Sequence, residues 1–177
     1  MLDRKMAALI VVDIQGNLAQ VMNDKEFLFE NVTKMIRGVQ AFGIPILVTE
    51  QVNLGPTIPA LTQFLGGVKP IVKESFSCCG DAGFMKELTA MNRMQILMTG
   101  IEAHVCVYQT AMELLDRGFE IHLVADAVSS RTPRNREIGI QKLRDNGAIL
   151  TGTEMALFEL LKTAADPKAK DLFRIIK

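Results

Sequence analysis

Three side chains in this sequence have the types and the placement to do chemistry together. Cys106 stands where an apolar run, Gln95–Met98, has stopped at Thr99-Gly100 and a helical spacing begins, with Val107, Ala111, Leu114 and Leu115 leading to Gly118. A helix start offers unpaired N–H groups and a partial positive charge, which favour a thiolate and can hold a developing oxyanion. The same position equally suits a small buried hydrophobe, the usual role of a free cysteine. Asp13 stops the apolar run Met6–Val12, and Lys73 follows the run Val68–Val72. Taken singly, Asp13 also reads as a turn or cap residue and Lys73 as a solvated surface group. The set says more than its members. In a parallel sheet all three fall on the edge where strands end and ligands bind. There a carboxylate can take a thiol proton and an ammonium can stabilise the charges that result.

The elements that must position them alternate along the chain. Apolar runs at Met6–Val12, Ile44–Val48, Val68–Val72, Gln95–Met98, Ile121–Ala125 and Ala148–Leu150 read as strands. Helical spacing covers Asp24–Phe42, Phe84–Met91, the Cys106 segment, Arg134–Arg144, a helix capped by Thr153 through Leu161, and a last helix opened by Asp166-Pro167. Thr49–Leu65 is a long loop leading to a short helix, and loops of that kind shape pockets. This order predicts an α/β fold, one doubly wound parallel sheet of six strands with helices on both faces, in a single domain over residues 1–177.

Composition removes several function classes. Hydrophobic residues at 49% and charged residues at 23% fit a soluble globular chain. With 20 basic and 20 acidic residues, no electrostatic drive toward nucleic acid or a membrane surface is expected. No run is long enough to span a bilayer, and the charged start Asp3-Arg4-Lys5 is unlike a signal peptide. Three cysteines without a secretory signal point to a reducing, cytoplasmic setting. Two histidines, His104 and His122, leave little room for zinc or Ser-His chemistry. A dehalogenase-type phosphatase would want a second Asp at the position of Gln15, and Ile14-Gln-Gly-Asn is too poor in glycine for a nucleotide loop.

The motifs LIVVDIQ (Leu9–Gln15), Lys73 with Ser75-Phe76-Ser77, TGIEAHVCV (Thr99–Val107), VADAVSSR (Val124–Arg131) and GAILTGTEMALFELL (Gly147–Leu161) resemble those of the isochorismatase-like cysteine hydrolases, in the family's order. Val48–Leu61 and the tail DPKAKDLFRIIK are most similar to the isochorismatase domain-containing subgroup. The resemblance implies strand order 3-2-1-4-5-6 and a triad of Asp13, Lys73 and Cys106. It implies hydrolysis of a small amide, ureido or carbamoyl compound through a thioester, without a cofactor. It also implies a cis Ile101–Glu102 bond, with the N–H groups of Glu102 and Cys106 as the oxyanion hole, and a homo-oligomer of at least two copies.

Gln15, Gln51, Leu54 and Phe76 are pocket walls by position, and each is equally ordinary loop packing. His104 reads as structural and stays outside the triad, while Cys78 and Cys79 are inert thiols or a redox lock. No metal is expected, because TEQVNLGPTIP lacks the histidines that nicotinamidases place there. The alternatives are a non-catalytic scaffold on the same fold and a vinyl-ether hydrolase, a reaction the family performs without the cysteine.

Overall fold

In a computed structural model describing residues 1–177, the six apolar runs form one parallel sheet. Its strands are β1 (Ala7–Val12), β2 (Ile46–Gln51), β3 (Ile71–Lys73), β4 (Gln95–Ile101), β5 (Glu120–Ser129) and β6 (Ile149–Thr151), ordered β3-β2-β1-β4-β5-β6. Every neighbouring pair is parallel. The order reverses between β1 and β4, which opens a crevice above their C-terminal ends. The helices are α1 (Gly16–Gln20), α2 (Lys25–Ala41), α3 (Pro59–Thr62), α4 (Ala82–Ala90), α5 (Cys106–Asp116), α6 (Pro133–Asp145), α7 (Thr153–Leu161) and α8 (Ala169–Ile176).

Both faces of the central strands are covered, which is why they read as unbroken apolar runs instead of alternating ones. Successive residues still point to opposite faces. Leu9 and Val11 join Val32, Ile36, Leu97, Leu157 and Leu160 in one core, beneath α2 and α7. Ile10 and Val12 join Phe84, Met98, Val107 and Leu114 in the other, beneath α4 and α5. Each such fully buried side chain contributes roughly 1.5–3 kcal/mol. These two layers clamp β1 and β4 and so fix the loops at their ends.

Several element boundaries depart from the sequence reading, each for a local reason. β2 continues through the polar Thr49, Glu50 and Gln51, because those residues pair with Ile71, Val72 and Lys73. β3 is correspondingly short, begins after Pro70, and contains Lys73 as its last residue. β4 runs on through Thr99-Gly100. Gly100 has φ +128°, and a Cβ there would lie 2.3 Å from the Val12 carbonyl oxygen, so the glycine serves close approach of β4 to the end of β1. β5 is ten residues long and bulges where its register against β4 shifts between Met98 and Gly100. Asp126 therefore lies inside β5, not past its end. Its carboxylate accepts from the Thr153 N–H (2.8 Å) and hydroxyl (2.9 Å), capping α7 from a distance, so Gly152 occupies the N-cap position expected for Thr153. Asp166-Pro167 forms a turn ahead of α8, with Asp166 accepting from the Lys168 N–H at 2.8 Å and pairing with Arg4 at 2.8 Å. The one-turn helix α1 has no apolar periodicity long enough to announce it.

Candidate active site

Asp13, Lys73 and Cys106 come from three different strand ends and meet above the crevice. Asp13 takes a left-handed backbone (φ +53°) directly after β1. Its Oδ1 accepts from the Thr49 hydroxyl at 2.7 Å and its Oδ2 from Lys73 Nζ at 2.7 Å. The two charged side chains are 1% and 0% exposed. Removing one member of such a pair costs about 3–5 kcal/mol, because the other charge is left buried and uncompensated. Lys73 Nζ also faces Gln51 Oε1 (2.8 Å) and the carbonyls of Ser75 and Phe76 (3.1 Å each), so the ammonium has more acceptors than protons.

Cys106 is the first residue of α5 and is buried. Burial, and after it the neighbouring Asp13 charge, push its thiol up to about 12 against the opposing pull of Lys73. Burial works against the thiolate that a helix start favours. Asp13 thus sets a carboxylate beside this buried thiol.

The turn before Cys106 is tightly held. The Ile101–Glu102 bond is cis. The Glu102 carbonyl accepts from the Val105 N–H at 3.0 Å and the Val107 N–H at 3.3 Å, whereas the N–H groups of Glu102 and Cys106 reach no carbonyl in the turn. The Glu102 side chain is buried, with Oε1 2.5 Å from Arg131 Nε. His104 Nδ1 lies 3.0 Å from Ser130 Oγ and 3.2 Å from Glu102 Oε2. The hydrogen bond goes to the serine, and Oε2 has no hydrogen-bond partner. His104 thus braces the turn, together with Ser130 and Arg131.

The four positions read as pocket walls have other engagements. Gln15 is fully buried and its amide is consumed: Nε2 donates to the carbonyls of Gln51 (3.1 Å) and Gly55 (2.5 Å), and Oε1 accepts from the Gln51 N–H (2.7 Å). Gln51 turns its own amide to Lys73 and to the Glu74 carbonyl. Leu54 brings its carbonyl against Gly16, where a Cβ would stand 2.2 Å away. Phe76 offers Lys73 its carbonyl and leaves its ring exposed. Sequence reasoning passed over Thr49, although it sits on the same strand edge as the triad.

Cys78 and Cys79 lie on a short 3-10 turn, Cys78–Gly80, beside the site. Cys78 Sγ approaches Thr49 Oγ1 at 3.7 Å, and burial followed by the Asp13 charge lifts its thiol to about 12. Cys79 contacts the Thr110 carbonyl at 3.9 Å, and burial raises its thiol too. All three thiols are free.

Residues 7–155 match the isochorismatase domain family. Isochorismatase domain-containing protein 2 of Danio rerio is 33% identical over 177 residues, a match covering 99% of this chain and 89% of that protein. The structure of a protein described as MAR1 ribonuclease, from Caenorhabditis elegans, is 34% identical and matches with a TM-score of 0.93 over 99% of this chain and 91% of that one. The YcaC gene product of Escherichia coli, described as an octameric hydrolase of unknown specificity, gives a TM-score of 0.92 over 98% and 89% of the two chains. At 23% identity that likeness is one of fold.

Proposed function

The chain belongs to the isochorismatase family, and from that premise we propose that it is a cysteine-nucleophile hydrolase of a small amide, ureido or carbamoyl compound. One observation carries the reading: a fully buried carboxylate, Asp13, held by an ammonium on one side and set beside a buried thiol on the other.

In this reading Asp13 takes the proton of Cys106 as sulfur attacks the carbonyl carbon. The N–H groups of Glu102 and Cys106 receive the oxyanion. Collapse breaks the C–N bond, and the leaving amine takes the proton back from Asp13. Water then attacks the thioester. Asp13 removes a proton from that water and returns it to the departing sulfur, which restores the resting thiol. Lys73 orients Asp13 and offsets the charge on sulfur. Retention of Cys106 favours this path over vinyl-ether hydrolysis. Every proton is moved by the chain's own residues, so the scheme calls for no cofactor.

The free thiols suit a reducing, cytoplasmic compartment. No helix is long and apolar enough to cross a membrane. For assembly, Met155, Phe158 and Phe173 leave apolar surface on α7 and α8, while Leu157 and Leu161 of α7 are spent in the core. We assign that surface to contact with further copies; the Escherichia coli protein of the same fold is described as octameric. Light scattering should return at least a dimer.

The test is ammonia release from a panel of primary amides and carbamoyl compounds, by the native chain and by Cys106→Ala. The variant should keep the native circular-dichroism spectrum and lose turnover. Full activity in the variant would end the covalent mechanism. An RNA oligonucleotide joins the panel because the nematode relative is described as a ribonuclease. Strand cleavage that survives Cys106→Ala would replace amide hydrolysis with phosphodiester chemistry.

A further inference from the structure

We propose that Gln51, clipped in place by Gln15, is a positioning residue that holds the Lys73 ammonium against Asp13 and so sets the pH range of the site, without touching substrate. The proposal deepens the reading of Asp13, Lys73 and Cys106 given above and rests on it.

The geometry begins with Gln15. It is fully buried, and both ends of its amide grip the backbone of residues 51 and 55. An antiparallel bridge between Gln15 and Thr57, the bond from the Gly16 N–H to the Pro56 carbonyl (3.1 Å), and the pairing of Thr57 with Glu50 (2.7 Å) fasten the same loop. The end of β2 is therefore tied to the residues that follow Asp13. Gln51 projects from that fixed backbone. Its Oε1 lies 2.8 Å from Lys73 Nζ and its Nε2 lies 2.6 Å from the Glu74 carbonyl. Only one orientation of the amide is chemically sound, because turning it over would set an NH2 against an ammonium and an oxygen against a carbonyl.

The groups facing Lys73 make the neutral amide significant. Asp13 approaches from β1, the thiols of Cys78 and Cys106 lie nearby, and the carbonyls of Ser75 and Phe76 close the remaining side. Glu50 is turned away to Thr57. Asp13 is thus the one carboxylate bonded to this cation. A second carboxylate at position 51 would compete with Asp13 for Lys73 and make both acids harder to ionise. An apolar side chain there would take an acceptor from Lys73 and make the ammonium easier to deprotonate. Opposite substitutions should therefore move opposite limbs of the pH profile.

The experiment compares Gln51→Glu and Gln51→Met with the native protein, using the amide substrate found by ammonia release and iodoacetamide alkylation of Cys106 read by peptide mapping. In Gln51→Glu the acid limb of kcat/KM should move up by about one pH unit, with alkylation at pH 8 slowed about tenfold, the usual effect of a like charge a few ångströms away. In Gln51→Met the alkaline limb should move down. KM should stay within about twofold of native in both. A raised KM with unmoved limbs would make Gln51 a pocket wall and overturn the proposal. So would limbs and alkylation both unchanged in a variant that folds. Each variant reports on its own, so failure of one to fold leaves the other decisive. The two readings fail separately: turnover surviving Cys106→Ala defeats the mechanism, whereas alkylation that ignores the charge at position 51 defeats the positioning of Lys73.

Discussion

Asp13→Asn should make Cys106 more reactive toward an alkylating agent while destroying turnover. In the native site burial and then the Asp13 charge hold the thiol at about 12, against an ordinary 9.0. At pH 8 that leaves roughly one molecule in 10,000 as thiolate, where an ordinary thiol would show about one in ten. Asparagine keeps the shape and an oxygen for Lys73 but removes the charge. Loss of a like charge at close range should raise the thiolate population about 10- to 100-fold. Burial, the larger cause, persists, so the thiol stays above its ordinary value. Alkylation at fixed pH follows the thiolate, and its rate should rise by the same factor. Turnover should fall about 10²–10⁴-fold, the usual worth of a positioned proton acceptor. Lys73→Met should do the reverse to reactivity, since it removes the charge that pulls the thiol down. The assay is the second-order rate with iodoacetamide between pH 7 and 10, with peptide mapping to separate Cys106 from Cys78 and Cys79. Equal or slower alkylation in Asp13→Asn, or the same direction in both variants, would refute the electrostatic account.

Two further outcomes are expected. Gly100→Ala puts a methyl 2.3 Å from the Val12 carbonyl oxygen at a φ of +128°, so it should lower stability by at least about 1–3 kcal/mol and impair the site through Asp13, with an unchanged thermal midpoint as the contrary result. Alkali should destabilise the fold, because Cys78 and Cys106 ionise near an ordinary 9.0 when unfolded but only at about 12 when folded. The stability these neutral thiols confer is complete below about pH 9 and lost between about 9 and 12. Cys78→Ala should flatten that decline in urea midpoints, and an equally steep decline would count against it.

Much of this protein was legible before any fold was seen. Unbroken apolar runs ending at Asp13 and before Cys106 specify buried parallel strands, because only a strand covered on both faces can afford no polar side. Their alternation with helical spacing leaves one handed way to wind the sheet, which sends Asp13, Lys73 and Cys106 to a common edge. What the sequence could not show depends on contacts between residues far apart in the chain. Thr49, Glu50 and Gln51 looked like loop because their strand character comes from pairing with Ile71, Val72 and Lys73. Gly100 looked like a turn residue, and only the approach of Val12 reveals why no side chain fits. Asp126 caps a helix 27 residues away. The state of Cys106 also depends on packing. A helix start is visible in sequence and favours a thiolate, but burial and the distance to Asp13 are properties of the packed structure, and in a low-dielectric interior they outweigh the helix end.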